Sequence, residues 1–536
     1  MNKGNAMYKV MLRDNMSPVA KTILEATGEI EVTVDNDKTT NDPQALAEII
    51  GAYHALGVRS GTRVSGQVLE QAPNLKVIGR AGIGVDNIDI AAATKHGVVV
   101  MNAPGGNTVT TAEHTISLIM ALARNIPQGT ASLRAGKWEK KKLSGIEITG
   151  KTLGVLGLGQ IGRVVAARAR GLKMNVIAAD PFVSEEAAKA LDVALVTREE
   201  LFANADFITL HVPGLKETQN LINADTIAQM KPGVRIINCS RGNVVNIDDL
   251  YEALSNGHVG GAALDVLPQE PPDPSLPILQ HPKVIFTPHL GASTAEAQDK
   301  VASMIANQIS AYLLGDVIIN AVNFPSVSRE TMSQLRPYLD LAEKMGAIMG
   351  QLSSRTHDLR ITYTGNMAQV QTKPLTHAIL KGLLSAFTDG PVNYVNAPAL
   401  AHDKGIHFTE TTRQTKDDFA GTIRLKLEGV AQGPDEIWGT VFSKTYPRIV
   451  KMGDIYMDAI PEGSMIIIQN IDRPGVIGNV GTLLGKHQIN IGRFQLGRLH
   501  DRALCMVNVD TPADETVIEE LRQLPNILNA RQIHLG

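Results

Sequence analysis

The stretch Thr152-Leu-Gly-Val-Leu-Gly-Leu-Gly-Gln-Ile-Gly162, running on to Asp180, decides how this 536-residue chain is read. Leu153 to Leu156 is a short apolar run of buried-strand type. Gly157, Gly159 and Gly162 form G-x-G-x-x-G, and Ile161, Val164, Val165, Ala169 and Leu172 recur at helical spacing. Val176 to Ala179 is a second apolar run, closed by Asp180. Strand, glycine turn, helix, strand and acid follow in the order that a dinucleotide-binding unit requires. Gly157 permits the sharp turn, Gly159 lets backbone approach a pyrophosphate, and Gly162 lets the helix lie close on the strand. The helix N-terminus would face the diphosphate. Asp180 can accept hydrogen bonds from both ribose hydroxyls and would repel a 2′-phosphate, so NAD is expected rather than NADP.

Outward from this unit the βα rhythm continues. Phe207 to Leu210, Val234 to Asn238, Gly261 to Leu264 and Val284 to Phe286 read as strands. They are followed by His211, by Cys239-Ser-Arg-Gly242, by Asp265 and by Thr287-Pro-His289. Ligands of open α/β sheets sit beyond the carboxyl ends of the strands. Asp180, Arg241, Asp265 and His289 therefore share one rim. That set suits oxidation of a 2-hydroxy acid. His289 is the candidate base, since imidazole titrates near neutrality. Glu270, on the proline-stiffened run Gln269-Glu-Pro-Pro272, is its candidate partner. Arg241 suits a bidentate carboxylate clamp. Asp265 is expected near the nicotinamide end, and Cys239 as packing near the ring.

Before the glycine turn, Tyr8 to Leu12, Ile30 to Val34, Leu75 to Ile78 and Val98 to Met101 read as strands, with Pro43 to Ala55 helix-like. The loops Gly79-Arg-Ala-Gly-Ile-Gly-Val-Asp-Asn87 and Asn102-Ala-Pro-Gly-Gly-Asn107 are dense in glycine, as backbone crowding around a small anion would need. Thr110-x-x-Glu113 reads as a capping box opening a helix. Ile116 to Leu122 is apolar on nearly every side, which fits burial against a second subunit or in the core. Gly136 to Lys142 is a basic surface run.

Lys plus Arg number 51 and Asp plus Glu 54, a net charge of −3, which leaves no electrostatic footprint for nucleic acid. Two cysteines, 239 and 505, offer neither a disulfide framework nor metal-ligand spacing. No signal-like or membrane-spanning apolar run is present, so the cytoplasm is the expected compartment, with no membrane partner.

The runs Arg80–Asp86, G-L-G-Q-I-G, Asn238–Gly242, Glu270-Pro-Pro and Pro288–Ser293 together resemble the D-2-hydroxyacid dehydrogenase family over about the first 325 residues. The nearest likeness is to its phosphoglycerate dehydrogenase branch. The resemblance implies Arg241, Glu270 and His289 as the catalytic set. It implies an NAD site lined by Gly157, Gly159, Gln160, Ile161, Gly162, Asp180, Cys239, Ser240, Asp265, Gly291 and Ala292. It further implies substrate contacts at Arg59, Arg80, Gly82, Asn102 and Asn107. Ile83 and Leu267 depart from the usual family residues. The implied fold is α/β, with a Rossmann-type NAD-binding domain (106–289) inserted in a flavodoxin-like substrate-binding domain (1–105 and 290–325).

Asn323 to Ser328 reads as a linker. Beyond it, Leu359 to Thr364 and Thr422 to Leu427 read as strands and Pro374 to Phe387 as a helix. His357, His377, His402 and His407 are scattered. The run Val392-Asn-Tyr-Val-Asn-Ala-Pro398 resembles the family's α+β intervening, allosteric substrate-binding domain (326–461). From Ser464 the order is β-α-β-β-α-β, the ferredoxin-like plan. With Asp472-Arg-Pro-Gly475 it resembles an ACT domain (462–536), implying a serine effector at Asn470, Asp472 and Asn490. The expected reaction is NAD-dependent oxidation of 3-phosphoglycerate by a homo-oligomer, with a tetramer implied by the resemblance. Another D-2-hydroxyacid dehydrogenase, acting on glyoxylate or 2-oxoglutarate, and an NAD-sensing binding protein remain alternatives.

Overall fold

The computed structural model describes residues 7–37, 42–315, 317–325, 329–353, 358–388, 390–414, 419–428 and 433–535. Residues 1–6, the 326–328 half of the expected linker, and His357 lie outside them. Four sheets follow one another along the chain.

The first comprises β1 (Tyr8–Leu12), β2 (Ile30–Val34), β3 (Ala55–Val58), β4 (Val77–Arg80) and β5 (Val99–Asn102), all parallel, in the order β2-β1-β3-β4-β5. That is the flavodoxin-like order. The chain returns to this sheet much later. Ile305 and Ile309, on the helix Ala295–Gly315, pack so close to β4 that a Cβ on Gly79 would lie 2.5 Å from Ile305 Cγ2. The free edge of β5 is closed by the same return: Val322 N–H donates to Val100 O at 2.7 Å, and Asn323 Oδ1 accepts from Val100 N–H at 2.9 Å. Asn323 to Pro325 is thus not linker but part of the sheet's packing, with Phe324 only 6% exposed.

The second sheet comprises β6 (Thr152–Leu156), β7 (Asn175–Ala179), β8 (Ala194–Leu195), β9 (Phe207–Leu210), β10 (Val234–Asn238), β11 (Val259–Leu264) and β12 (Val284–Phe286). It is parallel throughout, ordered β12-β11-β10-β9-β6-β7-β8. From β6 the chain winds first toward β8 and then through β9 toward β12. The strand order therefore reverses between β6 and β9, the crevice where ligands of such sheets bind.

Three local expectations need correction. The helix from Pro43 stops at Ile50, and Ala55–Val58 is a fully buried strand. Four residues broken by Gly57 carry too little periodicity to be recognised. The capping box at Thr110 does not exist: the helix already starts at Thr108 with Asn107 at its N-cap, and Glu113 pairs instead with Arg168 at 2.8 Å. The strand expected at Leu75–Ile78 runs from Val77 to Arg80, which puts Arg80 on the strand end. On the Thr108–Arg124 helix, Leu118, Ile119 and Leu122 are buried within the chain's own second core. Its end follows the sequence reading, with Asn125 left-handed at φ 52°.

The third sheet comprises β13 (Asp358–Gly365), β14 (His407–Arg413), β15 (Gly421–Glu428), β16 (Glu436–Phe442), β17 (Tyr446–Met452) and β18 (Ile455–Ala459), ordered β14-β13-β15-β16-β17-β18. It packs on the helices Arg329–Leu352 and Lys373–Ser385, the first of which no motif announced. These two helices touch almost backbone to backbone. A Cβ at Gly382 would meet Glu343 O at 2.0 Å, and one at Gly346 would meet Ile379 O at 2.1 Å. This unit grips the first sheet through Asn393, whose Nδ2 donates to Gly97 O at 2.6 Å. The fourth sheet, β19 (Gly463–Ile471), β20 (Ile491–Leu499), β21 (Arg502–Val509) and β22 (Ile527–Leu535), is antiparallel in the order β20-β21-β19-β22 and carries two helices, as the ferredoxin-like plan requires. Among the described residues, no helix is long and apolar enough to cross a membrane, and no group of three His, Cys, Asp or Glu could hold a metal ion.

Candidate active site

The glycine turn has the geometry its sequence asks for. Gly157 sits at φ 91°, where a side chain would be strained. A Cβ at Gly162 would lie 2.1 Å from Gly157 O, so only glycine lets the helix Gln160–Gly171 start there. Gly159, its N-cap, has nothing within 4 Å of an added Cβ, leaving open space before the helix N-terminus. Asp180 follows β7. Its Oδ2 accepts from Leu158 N–H at 2.8 Å and its Oδ1 from Phe182 N–H at 2.9 Å. The acid thus braces the turn. These residues fit a dinucleotide: an open, donor-rich helix end beside a fixed carboxylate. Gln160 reaches across toward the first sheet, its Oε1 accepting from Thr108 Oγ1 at 3.3 Å, and a Cβ at Gly105 would lie 3.2 Å from the same atom.

Beyond β12, His289 adopts φ 54°, uncommon for a residue with a Cβ. Its Nδ1 lies 2.7 Å from Glu270 Oε2, and Leu267 N–H donates to Glu270 Oε1 at 3.2 Å. Burial pulls the Glu270 carboxyl up, but the His289 bond and charge, with the Leu267 amide, outweigh it and hold the group below its ordinary value. A carboxylate can only accept, so Nδ1 carries the shared hydrogen and Nε2 is left as the reactive nitrogen. Leu267, one of the family departures, takes part through its backbone. Its carbonyl carbon would lie 2.0 Å from a Cβ at Gly242.

Arg241 leaves β10 between Ser240 and Gly242. Its Nε donates to Asp86 Oδ2 at 2.8 Å across the cleft, and its Nη1 to Ser240 O at 2.8 Å. Ser240 is itself tied to Asn238 Oδ1 by its N–H (3.0 Å) and hydroxyl (2.8 Å), and Asn238 Nδ2 donates to Arg241 O at 2.9 Å. Asp86 went unassigned in the sequence, although it closes the glycine-rich run from Arg80. That run now has a steric reason. A Cβ at Gly82 would fall 1.6 Å from Arg80 Nη1, and one at Gly84 1.7 Å from Arg241 Nη2. Two guanidinium groups pass where side chains would otherwise stand.

Arg80 is the most unusual charge here. Burial, then the neighbouring Arg241 and Arg59, push it down to about 10, against the opposing pull of Asp86 and Asp14, and its Nε is buried without a partner among the described residues. Arg59 flanks a cleft of ≈ 250 Å³ at the ends of β1 to β3, together with Asn15, Asn36 and Ser60. The neighbouring Asp14 carboxylate is taken up by the N–H groups of Arg59 (2.7 Å) and Thr62 (3.0 Å) and by the Thr62 hydroxyl (2.7 Å). Asn102 Nδ2 donates to Ile83 O at 2.7 Å, lacing the two glycine loops together, and the Asn107 Oδ1 is buried without a partner among the described residues.

Asp265 is only 2% exposed, and both its oxygens are occupied within the protein. Oδ1 accepts from Leu290 N–H (2.7 Å) and Thr287 Oγ1 (2.6 Å), and Oδ2 from Gly291 N–H (2.9 Å). These bonds organise the His289 loop around it. Burial pushes the Cys239 thiol up to about 12, which makes it inert packing. Ile161 is half-buried at the start of its helix, and Ala292 follows the pinned Gly291. Besides Asp86, the sequence reading missed His114, whose Nε2 lies 3.1 Å from Asp265 Oδ1.

At the far end of the chain, the expected effector residues are dispersed in role. Asn470 is 2% exposed and its Nδ2 donates to Ile471 O at 2.9 Å. Asp472 Oδ2 pairs with Arg498 Nε at 2.6 Å, and Asn490 Nδ2 donates to Asp510 Oδ2 at 2.6 Å.

Three family models match: the D-isomer specific 2-hydroxyacid dehydrogenase NAD binding domain over residues 116–291, the D-3-phosphoglycerate dehydrogenase intervening domain over 334–453, and the ACT domain over 464–526. Among curated proteins, the D-3-phosphoglycerate dehydrogenase of Archaeoglobus fulgidus is 42% identical, covering 98% of this chain and 100% of its own. That of Synechocystis is 41% identical, covering 99% and 95%, and that of Bacillus subtilis 40%, covering 99% and 100%. Among solved structures, the Aquifex aeolicus D-lactate dehydrogenase complexed with NAD and lactic acid is 27% identical with a TM-score of 0.54. It covers 59% of this chain and 100% of that one. Glycine turn, strand-end rim and full-length likeness agree: the chain belongs to the D-3-phosphoglycerate dehydrogenase family.

Proposed function

We propose that this protein oxidises 3-phospho-D-glycerate at C2 to 3-phosphooxypyruvate, the reaction that commits carbon to L-serine. One observation carries the choice of substrate: Arg80 lies within electrostatic reach of both Arg59 and Arg241, and Gly242, next to Arg241, packs against Leu267, whose N–H holds the Glu270 partner of His289. A substrate with a carboxylate at one end and a phosphate at the other offers an acceptor to each of these guanidinium groups. Gly157, Gly159, Gln160, Ile161, Gly162 and Asp180 would hold NAD, with Cys239, Ser240, Asp265, Gly291 and Ala292 around its nicotinamide end. Bound NAD supplies the hydride acceptor.

The chain's own residues do the rest. Arg241 clamps the substrate carboxylate, its Nε kept in place by Asp86. Arg59 and Arg80, with the loops at Gly82 and Asn102 to Asn107, hold the phosphorylated end. His289 Nε2 takes the C2 hydroxyl proton, and Glu270 offsets the charge that the ring gains. In the reverse direction His289 returns the proton. Closure of the cleft between the two parallel sheets excludes water from the exchange.

We assign residues 1–105 with 290–325 to a substrate-binding domain, 106–289 to the NAD-binding domain, 326–461 to the intervening domain and 462–536 to a regulatory ACT domain. Serine is the proposed effector, acting near Asp472 and Asn490 in a homotetramer. Asn470, packed inward, would shape that site from beneath. The test is NADH formation with 3-phosphoglycerate, glycolate and D-lactate side by side. A kcat/KM for the phosphorylated substrate at least about 100-fold above the others is expected from two lost charged contacts. Equal rates would remove the substrate assignment, and no NADH from any of them would remove the enzyme reading. Serine that leaves the rate unchanged at every substrate level would remove the effector.

A further inference from the structure

The helix Thr108–Arg124 does more than link two sheets. It begins where the loop Asn102–Asn107 ends, with Asn107 as its N-cap. One turn in, Thr111 Oγ1 donates to Gly291 O at 2.9 Å in a buried bond. Three residues further on, His114 Nε2 lies 3.1 Å from Asp265 Oδ1 and 3.1 Å from Thr287 Oγ1. Positions three apart share a helix face, so Thr111 and His114 grip the same loop side by side.

That loop carries the reacting imidazole. His289 N–H donates to Asp265 O at 2.9 Å, Leu290 N–H to Asp265 Oδ1 and Gly291 N–H to Asp265 Oδ2. The left-handed backbone of His289 needs such over-determination to persist. Asp265 in turn is buried, and the His114 ring is one of its side-chain hydrogen-bond partners. The hydrogens can be assigned. The Thr287 hydroxyl donates to Asp265 at 2.6 Å, so its oxygen is free to accept, and the carboxylate can only accept. The hydrogen shared with both is therefore on His114 Nε2. Remove it, and a buried carboxylate loses a donor while the hydroxyl beside it loses one too.

We propose that His114 is a positioning residue for this reaction, its Nε2–H fixing Asp265 and Thr287 and through them the backbone that aims His289 at the substrate hydroxyl. The inference rests on the proposed role of His289. Because the same helix starts at the Asn102–Asn107 loop, it ties the substrate-facing loop and the proton-accepting loop into one rigid piece.

The test uses the full-length protein and three variants. His114→Leu is expected to lower kcat about tenfold or more while the KM for 3-phosphoglycerate stays within about threefold, since Arg59, Arg80 and Arg241 are untouched. His114→Gln, which returns an N–H donor at similar reach, is expected to recover most of that loss. Thr287→Val, kept in case His114→Leu does not fold, should lower kcat by about three- to tenfold with the same unchanged KM. Hydrogen exchange of residues 287–291 reads the loop without turnover and is expected to quicken severalfold in His114→Leu. A His114→Leu kcat within twofold of the parent overturns the proposal, as does His114→Gln as slow as His114→Leu, or unchanged exchange of the loop. A parent protein inactive on every 2-hydroxy acid overturns the reading of the site instead, and the exchange comparison still decides whether His114 fixes the loop.

Discussion

Two strands of the second sheet, β9 and β12, deliver a histidine beyond their carboxyl ends, and the two histidines have opposite fates. His289 is 46% exposed at its side chain and bonded through Nδ1 to Glu270. His211 is half-buried against the glycine turn, its carbonyl oxygen 2.5 Å from where a Gly157 Cβ would stand. Its Nε2 meets the Thr209 hydroxyl at 3.0 Å, its Nδ1 is buried without a partner among the described residues, and burial drives its pKa down to about 4. Occupying the ligand-facing rim is therefore not enough. A proton acceptor needs a carboxylate that steadies the charged ring and an open nitrogen toward the substrate; His211 has neither.

The largest effect that this contrast predicts is for His289→Ala, a fall in kcat of about 10²–10⁴-fold in NADH formation. A rate near that of the parent would take the proton-accepting role away from His289. Arg241→Lys comes next. It keeps a charge but loses the planar fork, so kcat/KM should drop by about 10²-fold, and a change below threefold would mean that Arg241 holds no carboxylate. Glu270→Gln should lower kcat by about tenfold or more while leaving NAD affinity alone, because His289 loses its anionic partner but not its place. Asp180→Ala sharpens the division of labour from the other side. NAD affinity, read by calorimetry, should weaken about tenfold, with the fold kept and the melting temperature lowered by the lost Leu158 and Phe182 bonds; unchanged affinity counts against the ribose contact.

The smallest effect on turnover belongs to His211→Asn, expected within about twofold of the parent. Its signature is in stability. Unfolded His211 takes up a proton near pH 6.5, whereas folded His211 does not until about 4, so the folded state loses stability as pH falls through that window and keeps it above. The loss is up to about 3 kcal/mol. Melting curves between pH 7 and 4.5 should fall less steeply for His211→Asn than for the parent. Identical slopes would mean that the ring titrates freely in the fold.

The same contrast separates what the amino-acid sequence displays from what it conceals. The rim residues were legible because parallel strands end on their ligand side: Asp180, Arg241, Asp265 and His289 each follow an apolar run. The ferredoxin-like end was legible for a related reason, its alternating and helical runs being long and separated by turns, so that the helix Val476–Lys486 has the bounds its pattern gives. What could not be read depended on contacts between distant segments. Asp86 meets Arg241 155 positions away, and His114 meets Asp265 151 positions away. Neither neighbourhood leaves a periodic trace. Asp265 illustrates the limit best: its place on the rim was visible, but its work, pinning the His289 loop, is a matter of which amides point at it. The helix Arg329–Leu352 was not legible because it carries Pro337, Gly346 and Gly350, residues that ordinarily speak against a helix.

Hydride departure from C2 and proton transfer to His289 must occur together in this crevice if the site works as described. The most direct measurement is a single turnover with 3-phosphoglycerate deuterated at C2, run on the parent and on His289→Ala at saturating NAD. The expected result is deuterium on the nicotinamide ring of the product and a rate at least about 10²-fold slower in His289→Ala, with substrate still bound. Deuterium retained in the three-carbon product, or equal rates in the two proteins, would contradict it.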